Sequence, residues 1–306
     1  MNQGFLVEDQ PPPLPPPRPY PSFLSALGMT LLILVATGLF GGVYALWVFI
    51  IDGIAGPEYV LYDLLFPYVL LGNVVVFLVF ILYGWWRSQL PFAEAYALRR
   101  APFMAYVLII PATWGLQIAL SELDNLTRRL IPLPDVMSEV MEMFGEHVVL
   151  MGFTLVVVAP LTEEFIFRGL MLRGFLQRYR PWTAIVASAF LFSVLHVNPA
   201  QLLPTFIIGL FYGWFFLKAP SLWPLVFAHA LHNGTVFILT IFPVIEIEGY
   251  NVGEVEPGIH QPIWFTVTGI AILIPTLVAI HTWGKGRSNV QRLDASEINW
   301  TGSTEL

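Results

Sequence analysis

Two adjacent carboxylates and an arginine lie in the apolar run PLTEEFIFRGLMLRG, as Glu163, Glu164 and Arg168. On a helix, Glu164 and Arg168 are four residues apart and can pair, while Glu163 projects about 100° away from its neighbour. One glutamate is then neutralised, and the other is left available to take a proton. Two further stretches repeat the helical spacing. FLFSVLHVNP places His196 four residues after Phe192, and FAHALHNG places Asn233 four residues after His229, with His232 near the same face. An ionisable group in hydrocarbon costs about 2.5–3.5 kcal/mol even on the lenient insertion scale. Costly groups in three separate helices therefore point to a common purpose, a polar pocket that can hold water.

The rest of the chain supplies the helices. Of its 306 residues 57% are hydrophobic and 11% are charged, and mean hydropathy is +0.72. Soluble domains carry about a quarter charged residues, so this composition predicts an all-α, polytopic membrane bundle. The apolar runs fall at 23–51, 62–86, 102–121, 147–168, 181–197, 201–218, 221–242 and 263–283. Each is close to the ~20 residues that cross ~30 Å of hydrocarbon, which predicts about eight transmembrane helices. Three segments follow: a proline-rich tail over 1–22, a helical bundle over 23–283 and a C-terminal tail over 284–306. The tail sequence DQPPPLPPPRPYP favours extended polyproline II and cannot bury a core. The net charge of −7 leaves no basic footprint for nucleic acid. The absence of cysteine excludes thiol catalysis, disulfides and Cys-bound zinc.

Lys and Arg collect on the cytoplasmic side of a membrane protein. Arg18, Arg87, Arg99, Arg100, Arg173, Arg178, Arg180, Lys218, Lys285, Arg287 and Arg292 all fall on one side of the predicted spans, against Arg128 and Arg129 on the other. Both termini are expected to be cytoplasmic, in a multi-pass protein of the cell membrane. Pro160, Pro204 and Pro224 lie in or beside spans and are expected to kink them. Between the third and fourth spans, Asp135 is a candidate N-cap for an amphipathic stretch with Val136, Val140 and Phe144 on one face.

The ordered set Glu163-Glu164-x-x-x-Arg168, Phe192-x-x-x-His196 and His229-x-x-x-Asn233 resembles the CAAX prenyl protease and bacteriocin-processing family of intramembrane endopeptidases, over a core at about 145–240. The resemblance implies peptide-bond hydrolysis within or at the edge of the membrane. Such a reaction needs an activated water, a base and a stabiliser for the tetrahedral oxyanion. Glu163 is expected to be the base, and Glu164 held by Arg168 an orienting pair. His196 is expected to share the water, and His229 with Asn233 to serve the oxyanion. Expected partners are membrane lipid and, as substrate, a peptide or the C-terminal tail of a membrane-associated protein, prenylated or not.

No cofactor is firmly expected. Glu163, His196 and His229 could ligate a divalent metal such as zinc, although there is no compact His-Glu-x-x-His. A transporter or proton-coupled binding protein, or a silent scaffold of the same family, are the alternatives; the transporter predicts internal repeats, and none is evident.

Depth along the spans poses a further requirement. Counted at 1.5 Å per residue, His196 lies about 22 Å from the start of its span at Pro181, deeper than Glu163 should be. A helix that begins below the membrane surface, or a strong tilt, would bring them level.

Overall fold

A computed structural model describes residues 20–55, 65–130, 147–242, 245–251 and 259–297. The proline-rich stretch before Tyr20 and the amphipathic segment around Asp135 lie outside the described residues. The long runs of Leu, Val, Ile, Phe and Ala form helices because a membrane offers no water to backbone groups, so each segment satisfies them internally. In chain order these are α1 Phe23–Ala55, α2 Leu65–Ser88, the one-turn α3 Phe92–Ala95, α4 Phe103–Leu130, α5 Val148–Leu176, α6 Pro181–Leu195, α7 Pro199–Lys218, α8 Trp223–Ile241 and α9 Ile263–Glu297.

Seven of them are long and apolar enough to cross a membrane, and α6, at 15 residues, is the shorter apolar helix among the eight expected spans. The chain is an all-α, multi-pass membrane protein. Its outward surface is correspondingly apolar, with Leu24, Phe49, Phe103 and Ile263 each more than three-quarters exposed.

Helix ends follow local chemistry. Extended backbone at Arg180 leads into α6 with Pro181 in the first turn, where a missing N–H costs nothing. After α6, Val197 takes a positive φ of 51°, Asn198 accepts a hydrogen bond from the Ala200 N–H at 3.0 Å, and Pro199 opens α7. A left-handed β-branched residue is a strained choice. It makes the turn between α6 and α7 abrupt. Pro224 occupies the first turn of α8 and opens that helix rather than kinking it, whereas Pro204 lies inside α7.

Close approach depends on glycine at two crossings. A Cβ on Gly115 of α4 would stand 2.8 Å from the Leu273 backbone nitrogen of α9. A Cβ on Gly209 of α7 would stand 2.9 Å from Ala189 Cα of α6. In both places the backbones meet as small-residue membrane interfaces do.

One end of the bundle is stitched together by basic residues and exposed carbonyls. Arg99 donates to the Pro220 carbonyl and Arg173 to the Glu94 carbonyl. The Leu222 N–H donates to the Ala97 carbonyl at 3.1 Å and Ser221 to the Arg99 carbonyl at 2.7 Å. Tyr96 is fully buried beneath this layer, its hydroxyl donating to the Ile81 carbonyl, and burial pushes its phenol pKa well up. At the opposite end, Glu122 accepts from His260 at 2.7 Å and from the Gln261 N–H at 3.0 Å, while Asn125 donates to the Gly249 carbonyl.

Candidate active site

The two glutamates stand on an irregular helix. Within α5, π-helical stretches at Thr154–Val158 and Phe165–Leu172 flank the α-helical Ala159–Glu164. π-Turns are uncommon, shift the hydrogen-bond ladder and concentrate at functional sites. Each stretch here gives up a carbonyl to a neighbouring helix. Asn233 of α8 donates through Nδ2 to the Leu155 carbonyl at 2.9 Å, and Ser188 of α6 donates to the Phe167 carbonyl at 2.9 Å. The rotation of Glu163 and Glu164 about the helix axis is thereby fixed from both sides.

Glu164 and Arg168 are buried almost completely, and Arg168 Nη1 donates to Glu164 Oε1 at 2.8 Å. The same oxygen stands 2.9 Å from His229 Nδ1. A carboxylate only accepts, so the proton of this contact is carried on Nδ1. The other ring nitrogen, Nε2, then faces Glu163 Oε2 at 3.9 Å. Arg168 is also held by rings: its guanidinium carbon lies 4.2 Å from the Phe192 centroid and 5.2 Å from that of Tyr212. Both rings lie 6.0 Å from the His229 ring. Three buried polar atoms, Glu163 Oε2, Glu164 Oε2 and Arg168 Nη2, have no hydrogen-bond partner among the described residues.

His196 sits at the edge of this group. As the C-cap of α6 it bonds the Phe192 carbonyl through Nδ1 at 3.0 Å, and its ring packs edge-on against Phe192 at 4.9 Å. Among the described residues it makes no hydrogen bond or ion pair with Glu163, Glu164 or His229. Phe192 is the link, touching the rings of both histidines.

The depth mismatch has a simple origin. The fourth span was expected to end at 168, but Arg168 is buried and paired, so the helix runs on to Leu176. Counted from the end of α5 that adjoins α6, Glu163 lies about 20 Å in, level with His196 at about 22 Å from Pro181.

The expected site residues are therefore brought together unequally. Glu163, Glu164, Arg168 and His229 form one cluster, Asn233 braces the backbone beneath it, and His196 flanks it. Two members were not anticipated from sequence. Tyr212 looked like any aromatic in an apolar run, and Ser188 like a small residue suited to helix packing. For Ser188, a hydroxyl in a span that needs a buried partner is the signal that could have found it; Tyr212 carries no such signal.

A zinc site built from Glu163, His196 and His229 does not fit this geometry. Among the described residues no three His, Asp or Glu side chains are grouped so as to hold a metal ion. The cluster offers instead a carboxylate oxygen with no hydrogen-bond partner among the described residues, 3.9 Å from an oriented imidazole nitrogen, an arrangement able to accept hydrogen bonds from one water.

Fold and site together define a polytopic helical membrane protein with a buried Glu–Arg–His centre. Residues 145–235 match the family model described as Type II CAAX prenyl endopeptidase Rce1-like. This stretch holds every residue of the cluster. The chain is also similar to a Bacillus subtilis (strain 168) protein named "Putative membrane peptidase YdiL", with 27% identity over 88 residues, covering 29% of this chain and 36% of the relative. The chain thus aligns with about a third of the curated relative's length. No solved structure matches. Both comparisons support a membrane protease in general.

Proposed function

We propose that the protein is an intramembrane endopeptidase that hydrolyses peptide bonds of membrane-associated or lipidated peptides through a glutamate-activated water. The observation that carries this reading is the pairing of Glu163 Oε2, buried without a hydrogen-bond partner among the described residues, with His229 Nε2 at 3.9 Å. A single water can donate one proton to each atom, which turns its lone pair toward a substrate carbonyl.

Glu163 takes the proton as the water oxygen attacks the carbonyl carbon. The carbonyl oxygen becomes the oxyanion. Asn233, with one amide hydrogen held by Leu155, offers the second to it, and His196, whose Nδ1 proton is held by the Phe192 carbonyl, leaves Nε2 to accept a hydrogen bond from the substrate backbone. When the C–N bond breaks, Glu163 returns the proton to the leaving amine. Glu164 and Arg168 act through His229, keeping its proton on Nδ1. The reaction runs without a tightly bound metal. In the cell membrane the arginine-rich end of the bundle faces the cytoplasm, with both termini on that side. The substrate is a peptide or the C-terminal tail of a membrane-associated protein, reached from the lipid.

Reconstitution in liposomes with fluorogenic peptides, read by mass spectrometry, tests the reading. Cleaved products that contain one oxygen from labelled water are expected. Passage of intact peptide or of protons without cleavage would instead establish a transporter.

A further inference from the structure

Tyr212 lies outside the three sequence motifs, on a helix that none of them includes, yet it reaches the same guanidinium as Phe192. It is almost fully buried, and the Arg168 guanidinium carbon lies 5.2 Å from its ring centroid. We propose that Tyr212 is a positioning residue: together with Phe192 it seats Arg168, and through Arg168 it keeps Glu164 and His229 in register. The inference rests on the peptidase reading for its kinetic consequence but not for the contact itself.

Two independent features place the ring. The first is the glycine contact between α6 and α7. A Cβ on Gly209 would meet Ala189 Cα at 2.9 Å, and one on Gly213 would meet Ile185 Cγ2 at 2.9 Å. Gly209 and Gly213 are one helical turn apart, so α6 packs its backbone at Ala189 onto the first and its Ile185 side chain onto the second. Tyr212 stands next to Gly213, and Phe192 stands three residues beyond Ala189. The interface that needs the glycines is the one that delivers both rings.

The second is the chemistry of Arg168. Of its guanidinium nitrogens, Nη1 is bonded to Glu164 and the buried Nη2 has no partner among the described residues. A cation with a single anionic partner can swing about that bond. Aromatic faces at 4.2 and 5.2 Å oppose the swing through cation–π attraction without competing for Glu164. A hydroxyl hydrogen bond is not required for this, so the ring matters and the oxygen does not.

The test uses the protein labelled with ¹⁵N-arginine in detergent, comparing wild type with Tyr212→Phe, Tyr212→Leu and the unbranched Tyr212→Met. The Arg168 Nε–H resonance is assigned by its loss in Arg168→Lys, and thermal unfolding is followed for every variant. The resonance should hold its position in Tyr212→Phe and shift or broaden in Tyr212→Leu and Tyr212→Met. On the best-cleaved peptide of a fluorogenic library, the aliphatic variants should lose about 10- to 30-fold in kcat with KM little changed. Tyr212→Phe should retain most of it.

An Arg168 resonance unmoved by Tyr212→Leu or Tyr212→Met overturns the proposal, whatever happens to activity. So does a phenylalanine variant as damaged as the leucine one. If the resonance responds as expected while the wild type cleaves no peptide, the hold on Arg168 stands and the peptidase reading is the one that fails.

Discussion

His229 and Glu164 share a 2.9 Å contact from Nδ1 to Oε1, made to the very oxygen that receives Arg168 Nη1 at 2.8 Å. One carboxylate oxygen therefore orients both a cation and an imidazole in the bundle interior. Glu163, its neighbour in sequence, carries an unpartnered Oε2 among the described residues. Glu164 is tied down through Oε1, while Glu163 makes no side-chain hydrogen bond among the described residues, so the same substitution should act unequally on the two.

Glu164→Gln removes the anion that compensates Arg168. A buried pair broken on one side costs about 3–5 kcal/mol, because the remaining charge has no partner. Thermal unfolding in detergent should fall by many degrees. Glu163→Gln should leave the unfolding temperature near that of wild type, since no hydrogen bond to Oε2 is lost. Equal destabilisation by the two substitutions would contradict this division.

Asn233→Ala frees the Leu155 carbonyl in the first π-helical stretch, a loss of about 1 kcal/mol for a neutral hydrogen bond. Asn233→Asp should be worse, because a carboxylate offers that carbonyl only lone pairs. Amide hydrogen exchange over residues 154–158 should quicken in both variants, and cleavage should fall with it.

The two histidines should separate by stability. His229→Ala removes a nearly buried ring bonded to Glu164, whereas the half-buried His196 side chain bonds, among the described residues, its own helix's Phe192 carbonyl alone. Activity should fall in both. Unfolding temperature should drop clearly only in His229→Ala.

Gly209→Val puts a branched side chain where a Cβ already meets the Ala189 backbone at 2.9 Å, and backbone cannot yield as a side-chain tip can. The variant should lose folded yield in detergent. Gly28→Ala, with nothing within 4 Å of its added Cβ, should be silent. The pair measures whether the α6–α7 crossing is as close as described.

Much of this arrangement was legible in the sequence. Glu164 and Arg168 pair as their spacing requires, and the apolar runs mark every long helix, because burial of costly groups and satisfaction of the backbone are local demands. The end of α5 was not legible. Arg168 reads as the charged edge of a span when its partner and the two rings are unseen, and the error displaced His196 in depth. The π-helical stretches were hidden for a related reason. They are held by Asn233 and Ser188 from other helices, and no periodicity within α5 announces them. Which histidine faces Glu163 was likewise a tertiary matter, because the two histidines come from different helices, α6 and α8.

The most direct test of the central claim compares wild type with Glu163→Gln, purified in detergent after extensive chelation, on a mixed library of fluorogenic prenylated and unprenylated peptides. The account predicts cleavage by the chelated wild type and its loss in a Glu163→Gln protein that unfolds at the same temperature. Cleavage that persists in Glu163→Gln, or that returns to the chelated wild type only with added zinc, would contradict a glutamate-activated water as the mechanism.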